Sequence, residues 1–226
     1  GKNVPKTVDD FPYWQDCLED LHAVYDGICA YYAFRIEKAS MPHVDHFIAK
    51  HRHESSHAYE WNNFRLACGY ANTCKNDYPD VLDPASIEDG WFRIDLVTLR
   101  VYASPGLDKP LAAAVESTIT RLKLGEGRAL EVRQRAMAHF RSGRVQIEFL
   151  DRDHPFLAKE LTRQGIRTIA DIPSVPPQVL AGIEPELQLG STAASEPAGS
   201  NAGADVKRSL SVHSFADGAK SLVRRS

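Results

Sequence analysis

Residues Val44–Asp77 decide the fold, and they read VDHFIAKHRHESSHAYEWNNFRLACGYANTCKND. About a seventh of the chain thus contains an Asp-His pair, an Asn-Asn pair and a short run with two cysteines. Three interpretations are open for a segment of this composition: a metal-dependent catalytic centre, a zinc knuckle, or a polar loop that happens to contain histidines. The sequence on either side narrows the choice.

Length and composition limit the number of domains and the classes of function that the chain can have. The chain has 226 residues and a mass of 25.1 kDa, which is room for one domain of ordinary size or for one domain and a tail. A hydrophobic content of 43% is enough to build a core. The formal net charge of -3 does not suggest a strongly basic nucleic-acid binder, so local basic patches would have to provide any such contact.

The sequence also indicates the cellular compartment. It contains no run of eighteen or more apolar residues and no charged-then-apolar leader, so it predicts neither a membrane-spanning helix nor a secretory signal. Its four cysteines do not form the pattern of a disulfide framework in a chain of this size. We therefore predict a cytoplasmic protein with reduced thiols.

Hydrophobic periodicity predicts a mixture of helices and short strands. Residues 11–26 have apolar side chains at helical spacing. Residues 28–37 are rich in aromatic and β-branched residues, which predicts a strand or hairpin arm, and 43–50 are predicted to form a second short strand. The other predicted elements are a short helix near 63–76, a strand pair over 90–103, two amphipathic helices within 110–141 joined at 125–127, and further short helices over 152–182.

The predicted fold class is α+β. A small ββα core over about 28–77 lies within a mainly helical domain that spans 1–189. From residue 190 the sequence is rich in Gly, Ala, Ser and Pro and has almost no large apolar residues, which predicts a disordered tail over 190–226.

The Asp45-His46 pair has the chemistry for phosphodiester hydrolysis. That reaction needs a hard cation on oxygen ligands and a base that deprotonates the attacking water. At the end of a strand, a carboxylate and an imidazole can reach one site from different directions. Asn72, within the predicted helix, can supply a second oxygen ligand if the helix packs across the strands. A purely structural Asp-His pair is the alternative.

The same stretch resembles the HNH, or ββα-metal, nuclease motif in "VDHF" followed by "WNNFRLACGYANTCK". The resemblance implies that His46 is the general base and that Asp45 and Asn72 hold Mg²⁺ or Mn²⁺. It also implies that Asn63 braces the loop and orients the imidazole. Asn62, its neighbour, is interpreted as a loop cap.

A longer pattern over about 29–140 is similar to an HNH subfamily of retron and Septu-type anti-phage systems, in which the nuclease pairs with an ATPase. This similarity implies an endonuclease that cleaves nucleic acid, most readily DNA, as the effector of an anti-phage system. It also implies an ATPase partner subunit. RNA as the substrate is not distinguished by any residue of the sequence.

The chain departs from the family at the zinc knuckle. The family has two CxxC pairs, but here the pairs read Cys29-Ala-Tyr-Tyr32 and Cys68-Gly-Tyr-Ala71, so each has lost its second cysteine. Structural zinc is almost always held by four ligands. We predict that structural zinc is absent and that side-chain packing, with Tyr32 large and Ala71 small, replaces it at Cys29 and Cys68.

Basic residues around the motif are candidate contacts to nucleic-acid phosphates. The histidines of "KHRHESSH" suit either a metal site or a solvated loop that meets phosphate. The candidate phosphate contacts are Lys50, Arg52, Arg65 and Lys75, for each of which ordinary surface charge is the alternative.

A second function is compatible with the sequence. Outside the tail the chain is acidic on balance, whereas a free-standing DNA binder gains most of its affinity from basic charge. In this alternative, the protein is a catalytically weakened or partner-dependent HNH-fold subunit that acts mainly by docking to an ATPase.

Overall fold

The computed structural model of the chain describes residues 15–49 and 55–172. This part contains both helices and small antiparallel sheets, so the protein is α+β as predicted. The strands are β1 (His43–His46), β2 (Phe64–Ala67), β3 (Phe92–Ile94) and β4 (Val101–Ala103); the helices are α1 (Leu18–Val24), α2 (Gly69–Lys75), α3 (Lys109–Arg121), α4 (Gly127–Arg141), α5 (Ile147–Asp153) and α6 (Pro155–Arg163).

Strands β1 and β2 pair in antiparallel register, with Asp45 opposite Arg65 and His46 opposite Phe64. All four residues of β2 are buried, as expected for a mainly apolar segment. The chain leaves β2 through Cys68, whose extended backbone caps α2, and α2 then packs against β1. Two antiparallel strands followed by a helix therefore surround the Asp45-His46 pair.

Two predicted elements differ from the structure in part in this region. The helix predicted near 63–76 begins only at Gly69, because residues 64–67 pair with β1 instead. The segment 28–37, predicted as a strand or hairpin arm, forms a tight hairpin-like turn, in which the Cys29 N–H bonds to Phe34 O at 2.9 Å and Ala33 has a φ of 49°. Only a single bridge between Ile28 and Arg35 has strand character.

The elements predicted over 90–103 and 110–141 are confirmed. Strands β3 and β4 pair with each other, and helices α3 and α4 follow. Helix α3 begins where the Asp108 carboxylate accepts the N–H of Leu111 at 2.9 Å, as expected of an N-cap. Helix α4 begins at Gly127, whose φ of 51° favours glycine and where an added Cβ would lie 3.1 Å from the Tyr70 hydroxyl.

One apolar cluster joins the ββα part to the helices that follow. It includes Leu66 of β2, Ile94 of β3, Phe140 of α4 and Leu161 of α6, each almost fully buried. In the described part of the range 152–182, the predicted short helices correspond to α6 and the end of α5, and α5 begins earlier, at Ile147. Residues 173–182 lie outside the described residues.

Two further observations concern membrane-spanning helices and the predicted C-terminal tail. None of the helices in the described ranges has the length and apolar character that crossing a bilayer requires. The predicted tail over 190–226 lies outside the described residues.

Candidate active site

Asp45 lies near the end of β1 with only 7% of its surface exposed. Its carboxylate accepts a hydrogen bond from the Tyr31 hydroxyl, and its Oδ2 lies 3.8 Å from Lys75 Nζ. Burial raises the pKa of Asp45, while the charge of Lys75 and the hydrogen bond from Tyr31 act in the opposite direction. Burial also raises the pKa of Tyr31, so the phenol keeps the proton that it donates.

His46 is buried beside Asp45, and its ring is fixed on two sides. Its Nε2 lies 2.9 Å from the carbonyl oxygen of Ala58, and its ring meets Phe64 edge-on at a centroid distance of 5.2 Å. A carbonyl can only accept, so the proton resides on Nε2 and the lone pair of the neutral ring resides on Nδ1. In the neutral form of the ring, Nδ1 is then the basic atom.

Asn63 connects the two ends of the segment between β1 and β2. Its Oδ1 accepts the Ile48 N–H at 2.7 Å, and its Nδ2 donates to Ile48 O at 3.0 Å and to His57 O at 2.9 Å. His57 immediately precedes Ala58, the residue that holds the imidazole of His46. Asn63 thus orders the backbone on which the histidine ring depends.

Asn72 projects from α2 towards the start of β1. Its Nδ2 lies 3.4 Å from His43 Nδ1, and within the described ranges no hydrogen bond joins it to Asp45. His43 and Asp45 are two positions apart on β1, so they share one face of the strand. His43 is a member of the site that the sequence interpretation missed, although its i−2 position relative to Asp45 was a usable signal.

The fit of these residues to a hard cation is partial. The Asp45 carboxylate and the Asn72 amide are oxygen donors of the kind that Mg²⁺ and Mn²⁺ take, with water and phosphate completing the shell. Across the described part of the chain, however, no group of three His, Cys, Asp or Glu side chains suits a metal. The donor chemistry is present, but Asp45 is also engaged by Tyr31 and Lys75.

The structure gives Arg65 and Lys75 a different role from the phosphate contacts that the sequence suggested. Arg65 is 5% exposed, and two of its guanidinium nitrogens bond to both carboxylate oxygens of Asp83 at 2.6 and 2.7 Å. Lys75 is 1% exposed, and its Nζ donates to His46 O at 2.9 Å and Phe47 O at 2.7 Å. Both cations lie in the interior and stabilise the site, so we do not retain them as phosphate contacts.

The other predicted basic contacts are only partly observable. Lys50 and Arg52 lie outside the described residues, as do His51 and His53. His57 is described, and its Nδ1 lies 3.1 Å from the carboxylate of Glu60 at the surface.

Cys29 and Cys68, the two cysteines at the knuckle positions that the resemblance implies, lie side by side. Cys29 is fully buried, and its thiol shares a hydrogen bond with the thiol of Cys68. Cys68 is the N-cap residue of α2, with no capping bond from its side chain. That bond, aided by the backbone N–H groups of Tyr70 and Ala71, lowers the pKa of Cys68 to about 7. Burial acts on Cys29 in the opposite sense and raises its pKa well above the ordinary range.

Packed side chains lie where the missing cysteines would be. Tyr32 is buried, its hydroxyl donates to Leu122 O at 2.9 Å, and its ring lies 6.2 Å from that of Tyr70. Ala71 is completely buried in the same cluster. The turn at Cys29 and the start of α2 are therefore held together by an aromatic and apolar cluster.

Comparison with protein-family models gives no match, and comparison with curated proteins gives no significant match. We therefore infer function from the geometry of the residues.

Proposed function

We propose that the protein is a metal-dependent endonuclease of the ββα-metal type that hydrolyses phosphodiester bonds in nucleic acid, with DNA as the preferred substrate. The observation that carries the proposal is the placement of His46. It ends a strand of an antiparallel pair, beside a carboxylate, with Nε2 anchored on Ala58 O and with the anchoring segment held by Asn63.

In this proposal His46 takes a proton from the attacking water at Nδ1. The Ala58 carbonyl fixes the tautomer, and it also stabilises the imidazolium that forms, because Nε2 keeps its proton and its acceptor. Asn63 keeps Ala58 in place through the neighbouring carbonyl of His57.

Asp45 and Asn72 would hold the Mg²⁺ or Mn²⁺ ion. When bound, the cation supplies neutralisation of negative charge on the phosphate. Lys75 supports this role, because its ammonium group lies 3.8 Å from Asp45 and opposes the effect of burial on the carboxyl pKa. Burial still leaves the pKa of Asp45 raised, and a bound cation would favour the ionised carboxylate that a metal ligand must be.

The cellular role is proposed from the sequence resemblance over 29–140. It is that of a cytoplasmic effector in an anti-phage system, with an ATPase as partner subunit.

The test is nicking of supercoiled plasmid in Mg²⁺ and in Mn²⁺. His46→Ala is expected to lower the rate by roughly 10²- to 10⁴-fold, the usual contribution of a general base. His139→Ala, on α4 and remote from β1, is the matched control and is expected to cut at the wild-type rate. Equal cutting by the folded His46→Ala variant would overturn the proposal.

A second candidate function is supported by the burial of Asp45. Its carboxylate is already paired with Lys75 and hydrogen bonded to Tyr31, which is the arrangement of a centre that is closed or weakened when the chain is alone. The chain would then act as a subunit that docks to an ATPase. Wild-type protein that is silent alone and cuts when an ATPase encoded beside it is added would favour this second function.

A further inference from the structure

A small cavity lies behind the ββα part of the protein. It has a volume of about 50 Å³ and is bounded by the turn at Tyr31 and Tyr32, by Phe92 and Val101 of the second hairpin, and by α3 and α4. Since one water needs roughly 10–15 Å³ measured in this way, the cavity has room for a carboxylate and a short aliphatic group, and any larger part of a ligand would lie outside it. Its walls are mainly apolar.

Arg133 of α4 brings a positive charge to this cavity. The side chain lines the cavity and is 5% exposed. Its Nε donates to Leu99 O at 3.0 Å and its Nη2 donates to Leu124 O. Burial lowers the pKa of Arg133 to about 10, which still leaves the guanidinium protonated at neutral pH.

The charge of Arg133 has no acidic partner in the part of the chain that the structure describes. Both of its hydrogen-bond acceptors are neutral carbonyls. Two other buried cations each have an acidic partner: Arg65 lies 2.6 Å from Asp83, and Lys75 lies 3.8 Å from Asp45. A buried charge without a counter-ion is costly, which marks Arg133 as a candidate for a ligand.

The third guanidinium nitrogen of Arg133, Nη1, forms no hydrogen bond within the described ranges. No fully buried side-chain nitrogen or oxygen there lacks a partner, so Nη1 must retain some accessible surface. Arg133 lines the cavity, so a ligand bound there would lie beside its guanidinium group.

The acidic residues at the rim do not neutralise Arg133. Asp89 pairs with Lys159 at 3.1 Å and with Arg163 at 2.8 Å. Glu88 is exposed and forms no ion pair with Arg133. The rim therefore leaves the interior charge available to a ligand.

We propose that this cavity binds a small carboxylate on a short apolar body, with the carboxylate on Arg133 Nη1 and the body against the apolar walls. One negative charge matches the one unpaired cation, and the small volume favours a compact anion over a nucleotide. The carboxylate has two sources, either a free short-chain acid or the terminal residue of a peptide. The proposal does not depend on nuclease activity.

The experiment titrates the full chain with butyrate, with the neutral isostere butyramide, and with N-acetylleucine against N-acetylleucinamide. Binding is followed by two-dimensional amide NMR and by thermal unfolding. We expect butyrate to bind with a Kd on the order of 1 mM, as suits so few atoms. It should shift amides around Tyr32 and Leu122, and butyramide should not. Stronger binding of N-acetylleucine than of butyrate would assign the carboxylate to a peptide end.

Two variants and one control test the role of the cation. Arg133→Gln should weaken butyrate binding at least tenfold, whereas Arg135→Gln, exposed on the same helix, should bind as wild type. If Arg133→Gln fails to fold, Leu82→Phe replaces it, because a larger ring at the cavity wall should exclude the ligand while keeping Arg133.

Three results would overturn the proposal. The first is that neither acid shifts any amide near the cavity. The second is that acid and amide bind equally. The third is that the folded variants bind butyrate as wild type does. Arg133 would then serve only to bridge the carbonyls of Leu99 and Leu124.

Discussion

Arg65 is a residue of β2, and its guanidinium is bonded to both oxygens of Asp83 and to the carbonyls of Asn62 and Phe64. Removing the acid leaves a buried cation with no counter-charge. We predict that Asp83→Ala lowers the free energy of unfolding by about 3 kcal/mol, as measured by urea denaturation.

The control for Asp83 is Asp80, which makes the same kind of pair at the surface. Asp80 lies 3.0 Å from Arg121, and both side chains are 41% exposed. Solvent screens such a pair, so the urea midpoint of Asp80→Ala should remain close to that of wild type. Equal losses in the two variants would contradict the structural role of Arg65.

Cys68 should be unusually reactive for a partly buried thiol. The hydrogen bond from Cys29 is the main cause that lowers the pKa of Cys68 to about 7, so a large fraction is thiolate at neutral pH. In a Cys17→Ser, Cys74→Ser background, the alkylation rate by iodoacetamide should rise with pH through about 7. Cys29→Ala removes the donor and should move that rise to higher pH. An unchanged profile in Cys29→Ala would assign the shift to another group.

The sequence predicted that Asp45, His46 and Asn63 lie near one another, but it did not predict the partners of the basic residues. Asp45, His46 and Asn63 are adjacent to one another because strand pairing and motif spacing determine their positions. Arg65 and Lys75 were assigned to phosphate because a sequence does not show which cation meets an acid. Asp83, the partner of Arg65, is eighteen positions away.

The segment between β1 and β2 depends on one side chain. Asn63 makes three hydrogen bonds across it, to Ile48 and His57. Asn63→Ala should lower the free energy of unfolding by about 1–3 kcal/mol, because buried backbone groups lose their partners. Amide exchange at Ile48, measured by NMR, should become faster in the folded state.

Asn62 offers a matched control one position away. Its side chain is exposed, and its contact with Arg65 is made by the backbone carbonyl, which alanine retains. Asn62→Ala should therefore stay within about 0.5 kcal/mol of wild type. Slow exchange at Ile48 in both variants would show that Asn63 does not hold the segment.

Helices were easier to predict than strands for a physical reason. Helices α3 and α4 follow from local periodicity and from the glycines near their junction, and their bounds agree with the prediction within three residues. Residues 64–67 form a strand because β1 is available as a partner, and residues 28–37 lack a comparable one. That information is not local, so the sequence pattern did not contain it.

The folded protein should need no structural zinc. Tyr32 and Ala71 occupy two of the four knuckle positions, and the Tyr32 hydroxyl is bonded to Leu122 O. We predict that purified protein contains less than one zinc per chain and that a strong chelator leaves its melting temperature unchanged. The double variant Tyr32→Cys, Ala71→Cys restores four thiols and serves as the positive control, with thiolate absorption on adding Co²⁺. Stoichiometric zinc in wild type would contradict the prediction.

The adjacent residues Tyr31 and Tyr32 contact two different parts of the protein. The hydroxyl of Tyr31 reaches Asp45 in the ββα part, and that of Tyr32 reaches the carbonyl of Leu122 after α3. A dipeptide has almost no freedom to move one member without the other. Residues 28–77 are therefore not a cassette that could be excised and grafted onto another scaffold, because the turn that places Tyr31 against Asp45 is also held by the contact of Tyr32 with Leu122.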